Sequence, residues 1–160
     1  MTPTVLRRII GGAFACALAA AGLAASAQAG SCPATKTGTD LRAPNHTPAS
    51  GVTDNVIGSI DLAQEPAHVA GRLLRLRKLV IQPGGVVPWH SHENRPAIIY
   101  VISGNVEEYA STCSVPIAHG PGDVAVETHT TAHWWKNTGR KTAVLLSADF
   151  FPVDADAHMM

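Results

Sequence analysis

Two histidines stand one residue apart in the stretch PGGVVPWHSHENRPAIIYVISG, residues 83–104. Side chains two apart on a strand point to the same face, so His90 and His92 present their imidazoles side by side. Such a pair can grip one cation, or it can belong to the polar face of a sheet, and the spacing alone does not separate the two. A third imidazole changes the chemistry. His133, in AHWWKN (132–137), lies on a separate β-segment, and a neighbouring strand that brought it in would complete a three-nitrogen face. Imidazole nitrogens suit transition metals, and three protein ligands leave coordination positions open for water or substrate. The expected cofactor is one divalent ion: iron, zinc, manganese or nickel.

Further side chains are candidates for the surroundings of such a site or for substrate contact. Arg95 offers a planar donor fork to an anion at the mouth, or is a solvent-exposed arginine paired with Glu93 or Asp123. Glu93 follows His92 directly and on a regular strand faces the other way. Glu127, on the strand leading to His133, is a candidate ligand or hydrogen-bonding acid. His129 is another, or simply a histidine at a strand end. Asn137 either orients an imidazole or fixes a turn. Tyr100 is kept as a candidate near the substrate, although core packing is the plainer reading for it and for Trp89, Trp134 and Trp135. Trp134 and Trp135 are adjacent, so they face opposite ways: one to the core, the other to a cavity or a dimer contact.

The same residues carry a family resemblance. Gly84, His90, His92 and Gly104 stand at the spacing of the first cupin motif, and Gly122, His133 and Asn137 at that of the second. The chain resembles the cupins over this frame. The resemblance implies an all-β fold, a single double-stranded β-helix (jelly-roll) barrel of two facing sheets with a metal near its mouth. It also exposes departures. The motif glutamate falls at Ala97, and the proline and glycine of the second motif fall at Thr128 and Thr130. The implied metal site is therefore three-histidine, a form that resembles some cupin dioxygenases.

The elements that must position these residues are short and punctuated. LLRLRKLVIQ (73–82) meets the breaker PGG, which is expected to reset the strand direction before VVPWHSH (86–92). AIIYVIS (97–103) ends at Gly104, and NVEEYA (105–110) is expected to answer it as a hairpin partner. VPIAH (115–119), VAVETH (124–129), AHWWKN (132–137) and TAVLLSADFF (142–151) follow, with GPGD and NTGRK as turns. Short strands with regular turn signals indicate a sandwich or barrel. The barrel domain is expected over 56–155, beginning with VIGSIDL (56–62). Residues 30–55, rich in Thr, Pro, Ala and Gly, read as an extended arm, poorly ordered in part.

Arg7 and Arg8 precede a charge-free, alanine-rich run that ends in AQAG. That is the pattern of a secretory signal peptide over 1–29, cleaved after Ala29, and it implies a periplasmic or secreted protein with no membrane association after cleavage. Cys32 and Cys113 are then the remaining thiols, and in an oxidising compartment they can pair; sequence does not decide whether they do. The chain's formal net charge is zero and its basic residues do not cluster, which excludes a nucleic-acid partner. Two functions follow as expectations: a dioxygenase-like oxidoreductase on a small organic substrate, or a non-catalytic module binding an organic acid or sugar, with or without metal. The resemblance to the cupins also allows a homodimer.

Overall fold

The computed structural model describes residues 30–154, so the signal peptide expected over 1–29 lies outside the described residues. The described chain is all-β, with one 3-10 turn at Ala34–Lys36 and no α-helix. Eight strands follow: β1 (Ser50–Asp61), β2 (Arg72–Ser91), β3 (Ala97–Ser103), β4 (Val106–Ala110), β5 (Ile117–His119), β6 (Val124–Glu127), β7 (Ala132–Lys136) and β8 (Ala143–Pro152). Every pairing is antiparallel, in the order β5-β4-β7-β2-β8-β3-β6, with β1 also paired to β2. The nearly closed sheet has the double-stranded β-helix form that the resemblance implies. No described helix is long and apolar enough to cross a membrane.

Strand β2 is the spine. Its first half pairs with β1 and β8, and its second half crosses to β7, so one strand of twenty residues belongs to both walls. Alternation of buried and outward residues is strict along β8 and most of β3 and β4, as expected where one face meets a core and the other faces out. Leu79, Ile81, Val101, Leu145 and Trp135 fill the space between the walls.

Three sequence expectations need correction. The PGG of residues 83–85 does not break the strand: β2 continues through it, and Gly84 absorbs the irregularity with φ +77°. Its neighbour Gly85 lies so close to β1 that a Cβ there would sit 2.7 Å from the Gly51 carbonyl oxygen. Second, β3 and β4 are sequential but do not pair. β3 lies between β8 and β6, whereas β4 crosses to the opposite wall and lies between β7 and β5. Gly104 makes that crossing at φ +79°, where a Cβ would come within 2.5 Å of the Ala143 Cα. Third, strand begins at Ser50, inside the span expected to be arm. The remaining arm is stitched to the barrel by backbone hydrogen bonds from Gly30 to Ala118, Gly38 to Thr112 and Leu41 to Ser111. A Cys32–Cys113 disulfide fastens it.

Candidate metal centre

A second irregularity in β2 decides where the histidines point. Leu79, Ile81 and Val87 face inward, so an unbroken period of two would carry Trp89 and Ser91 inward and turn His90 and His92 out. Between Val87 and His90 the register with β7 shifts by one residue. This bulge reverses the phase and brings both imidazoles inside. Pro88 sits within it, at a position where a missing N–H costs the ladder least. Its carbonyl is turned to the His90 Nδ1, 2.9 Å away. His133 lies directly opposite His90 across the ladder.

The three Nε2 atoms converge. They are separated by 3.1 Å (His90–His92), 3.0 Å (His92–His133) and 3.1 Å (His133–His90). Each outer nitrogen faces a group that can only accept: His90 Nδ1 the Pro88 carbonyl, His92 Nδ1 the Arg95 carbonyl at 2.8 Å, and His133 Nδ1 the Glu108 carboxylate at 2.9 Å. Each Nδ1 therefore carries the proton, and each Nε2 presents a lone pair. Burial pushes the His90 pKa well down and that of His92 to about 3, so these two rings are neutral at ordinary pH. Three lone pairs then meet with no proton between them. Two ligand nitrogens about 2.1 Å from one ion and at right angles to each other lie about 3.0 Å apart, so the spacing fits a single cation held by three imidazoles. The indole N–H of Trp135 lies 3.1 and 3.3 Å from the two nitrogens of His133 with the rings nearly perpendicular, an approach to the ring face that leaves the Nε2 lone pair available.

Behind His133 lies a buried acid group that sequence reasoning did not single out. One oxygen of Glu108 accepts from His133 and the other meets His119 Nε2 at 2.9 Å. Burial alone would raise the Glu108 pKa, but the hydrogen bonds from His119 and His133 outweigh it and hold the carboxyl ionised. Glu127 lies 3.5 Å from the same His133 nitrogen. Burial first, then the Glu108 charge and a hydrogen bond to it, keep the Glu127 carboxyl protonated. Glu127 thus stands beside His133 as an acid that shares its proton with Glu108, on the side of the outer nitrogen and away from the converging Nε2 atoms. It is also the register partner of Ala97, the position of the absent motif glutamate, so a carboxyl group occupies the adjacent strand there. The signal for Glu108 was its place between Val106 and Ala110 on an alternating strand: an acid in phase with two apolar residues.

The other candidates fall elsewhere. Arg95 is 3% exposed and its guanidinium lies 3.7 Å from Asp149, so it is neither a cation at an open mouth nor a surface arginine. It belongs to a buried group in which Asp149 takes two hydrogen bonds from Arg75, at 2.9 and 2.7 Å, and also faces Arg77. Arg77 in turn meets Asp54 of β1 and Ser147. Burial and the charge of Arg77 lower the Arg95 pKa to about 10. Asn137 fixes a turn: its amide donates to the Ile81 and Lys141 carbonyls and accepts from Gly139 N–H. His129 is exposed in the turn before β7, and Glu93 is exposed as well. Tyr100 is 45% exposed on the outer face of β3, which removes it from the site. Trp135 is the core member of its pair; Trp134 is half-buried and stacks on Tyr109 at 4.0 Å between ring centres.

A narrow cavity joins the two polar groups. Arg77 and Ser147 line one side, His90 and His92 another, and Leu79, Ile99 and Trp135 close it with apolar surface. It gives a water molecule's centre about 20 Å³ to move in. A second, wider cavity of about 350 Å³ opens on the far side of His133, between the arm at Gly30–Cys32 and the carboxyls of Glu108 and Glu127.

Comparison with known proteins agrees with this architecture. The family model described as Cupin domain matches residues 77–149. No curated protein matches the chain. An uncharacterized conserved protein with a double-stranded β-helix domain, from Klebsiella pneumoniae, superposes with a TM-score of 0.52 at 19% identity, covering 69% of this chain and 85% of that one. An oxalate oxidase in complex with the substrate analogue glycolate gives 0.50 at 20% identity, covering 79% of this chain and 60% of that one. The cupin domain of Schizosaccharomyces pombe Cnp3 gives 0.50 at 11% identity, over 63% of this chain and 65% of that one. At these identities the likeness is one of fold.

Proposed function

This chain belongs to the cupin superfamily, and from that premise we propose that it is an exported metalloprotein. It binds one divalent cation through His90, His92 and His133 and serves dioxygenase-like oxidation of a small organic substrate. The observation that carries the metal reading is the meeting of three Nε2 lone pairs whose tautomers are set by obligate acceptors. Iron, zinc, manganese or nickel bound there would supply a Lewis-acid centre with open positions. The protein's own part is positional. Pro88, Arg95 and Glu108 hold the three rings by their outer nitrogens. Leu79, Ile99 and Trp135 restrict water. Arg77 lines the cavity, already held by Asp54 and Asp149, and the excess of Arg75, Arg77 and Arg95 over those two carboxylates supports a small organic anion as the substrate class. The leader pattern of residues 1–29 and the Cys32–Cys113 bond support a periplasmic or secreted location.

A second reading, a binding module without turnover, is favoured by one specific observation. Ala97 replaces the motif carboxylate, and Glu127 approaches the outer nitrogen of His133 instead, so no described carboxylate faces the Nε2 side.

Metal analysis and oxygen uptake separate the two. Purified protein is expected to carry close to one divalent ion per chain, and His92→Ala and His133→Ala to carry none. Protein without metal, whose melting temperature does not move on adding iron or zinc, would sink the metal reading. Oxygen consumption with small carboxylic acids as substrates is expected of the enzyme; stoichiometric metal with no turnover leaves the binding module.

A further inference from the structure

The two sides of the disulfide are held very differently. After Cys32 the arm is tied repeatedly. Gly38 and Leu41 donate to the Thr112 and Ser111 carbonyls, Ser114 donates to the Lys36 carbonyl, and Thr37 forms a β-bridge with Cys113. Before Cys32, Gly30 and Ser31 have one hydrogen bond among the described residues, from Gly30 N to the Ala118 carbonyl of β5 at 2.8 Å. Yet these two residues, with Cys32, wall the cavity of about 350 Å³ behind His133. They lie where the barrel stays open: β5 and β6 end the strand order, and both line that cavity. Gly30 sits at this seam. It bonds to Ala118 on one side and lies against Asp123, the residue before β6, on the other.

Gly30 is also the residue whose nitrogen becomes the α-amino group if the leader is cut after Ala29. Two acceptors stand ready for it. One is the Ala118 carbonyl. The other is the Asp123 carboxylate: the tetrahedral position that a Cβ would take on Gly30 is 3.4 Å from Asp123 Oδ1. An amide nitrogen is tied on both sides. Hydrolysis gives the water's hydroxyl to the Ala29 carbonyl carbon and its hydrogen to the Gly30 nitrogen. That nitrogen then turns about the Gly30 Cα–C bond, toward the position facing Asp123. At neutral pH it is an ammonium with three N–H donors. Asp123 is already fixed: its Oδ2 accepts from Gly120 N–H at 2.7 Å, and its backbone bonds to Gly120 and Val101. We propose that Ala118 and Asp123 form a capture site for the new α-ammonium, so that cleavage itself seats the start of the arm across the seam and completes the wall of the rear cavity. Charge-assisted bonds of this kind are shorter and stronger than the amide bond they replace. The surrounding groups agree in sign: Glu108 and Glu127 line the same cavity, neutral His119 follows Ala118 in β5, and no lysine or arginine lines it among the described residues. The inference rests on the exported reading and is independent of the metal.

Protein purified as the cell processes it tests the site. Mass spectrometry first reads the N-terminus, expected at Gly30. An exported chain cut elsewhere overturns the capture site and leaves export standing; an uncut chain inside the cell overturns both. Competitive labelling with an amine-reactive reagent across pH then gives the α-amino pKa. It is expected at least about one unit above the roughly 7.7–8.0 of the unfolded chain, and equal values overturn the proposal. Asp123→Asn keeps an acceptor for Gly120 N–H but removes the charge, and is expected to abolish most of that shift. It should also lower the melting temperature by about 3 °C at pH 6.5. The folded pKa is the raised one, so the contribution is complete below the unfolded value and fades as pH climbs through the folded value; by about pH 10 the two proteins should melt nearly together. A difference that persists undiminished makes Asp123 a turn former alone and overturns the proposal. Where Asp123→Asn fails to fold, a serine inserted between Ala29 and Gly30 decides. It restores an amide at Gly30 N and should return the α-amino pKa to its ordinary value, and an unchanged raised pKa in that variant counts against the capture site.

Discussion

The imidazole cluster owes its geometry to the atoms behind it. A histidine ring free to flip could offer either nitrogen; two carbonyls and a carboxylate remove that freedom. Glu108 is the most informative of the three because it can be changed without touching the backbone. Glu108→Gln keeps the side-chain shape but removes the charge that holds the His133 proton outward. Outer-shell partners of this kind are worth about 10–100-fold in metal affinity. The dissociation constant, read by competition with a chelator, is expected to rise by that factor while the melting temperature of the metal-free protein changes little. At this scale the sequence was partly legible. Alternation placed His90 and His92 on one face, and the third ring was expected across from them. Glu108 was obscured by Glu107: two adjacent acids, of which one must face in. The pairing that sets Glu108 against Trp135 and Ala110 against His133 is a tertiary choice that no local pattern contains.

Strands were readable one at a time because β-branched runs and glycine turns announce them, but their partners were not. AIIYVIS and NVEEYA look like a hairpin, with Gly104 as the turn. The chain instead uses Gly104 to leave one wall for the other, and the distinguishing contact is with Ala143, some forty residues away in sequence. That contact can be tested directly. Gly104→Ala introduces a Cβ 2.5 Å from the Ala143 Cα at a left-handed φ of +79°, so both sterics and backbone oppose it. We expect a loss of at least about 2 kcal/mol in urea unfolding. Gly122→Ala, where a Cβ would meet no heavy atom within 4 Å, carries the backbone cost alone at φ +93° and should lose less.

The whole barrel is held by a small number of long-range ties. The Cys32–Cys113 bond spans 81 residues, and closing a loop of that size lowers the entropy of the unfolded chain enough to stabilise the fold by roughly 4 kcal/mol. Cys113→Ser is expected to lower stability by about that amount, measured by denaturant unfolding under oxidising conditions, and added reductant should then have no further effect on it. The family was legible at this scale because its glycines and histidines keep their spacing even where the carboxylate is lost. The buried Arg75–Asp149 group was not, since an alternation of leucine and arginine suggests basic residues in water. They face inward because β8 supplies Asp149 at the matching register. The bulge at Pro88 has a wider reach. It acts as a parity setting on the spine of the molecule: everything upstream counts in one phase, everything downstream in the other. A related chain that gained or lost a pair of residues there would keep its rings indoors, whereas a single insertion or deletion would turn the cation grip inside out and leave the rest of the barrel standing.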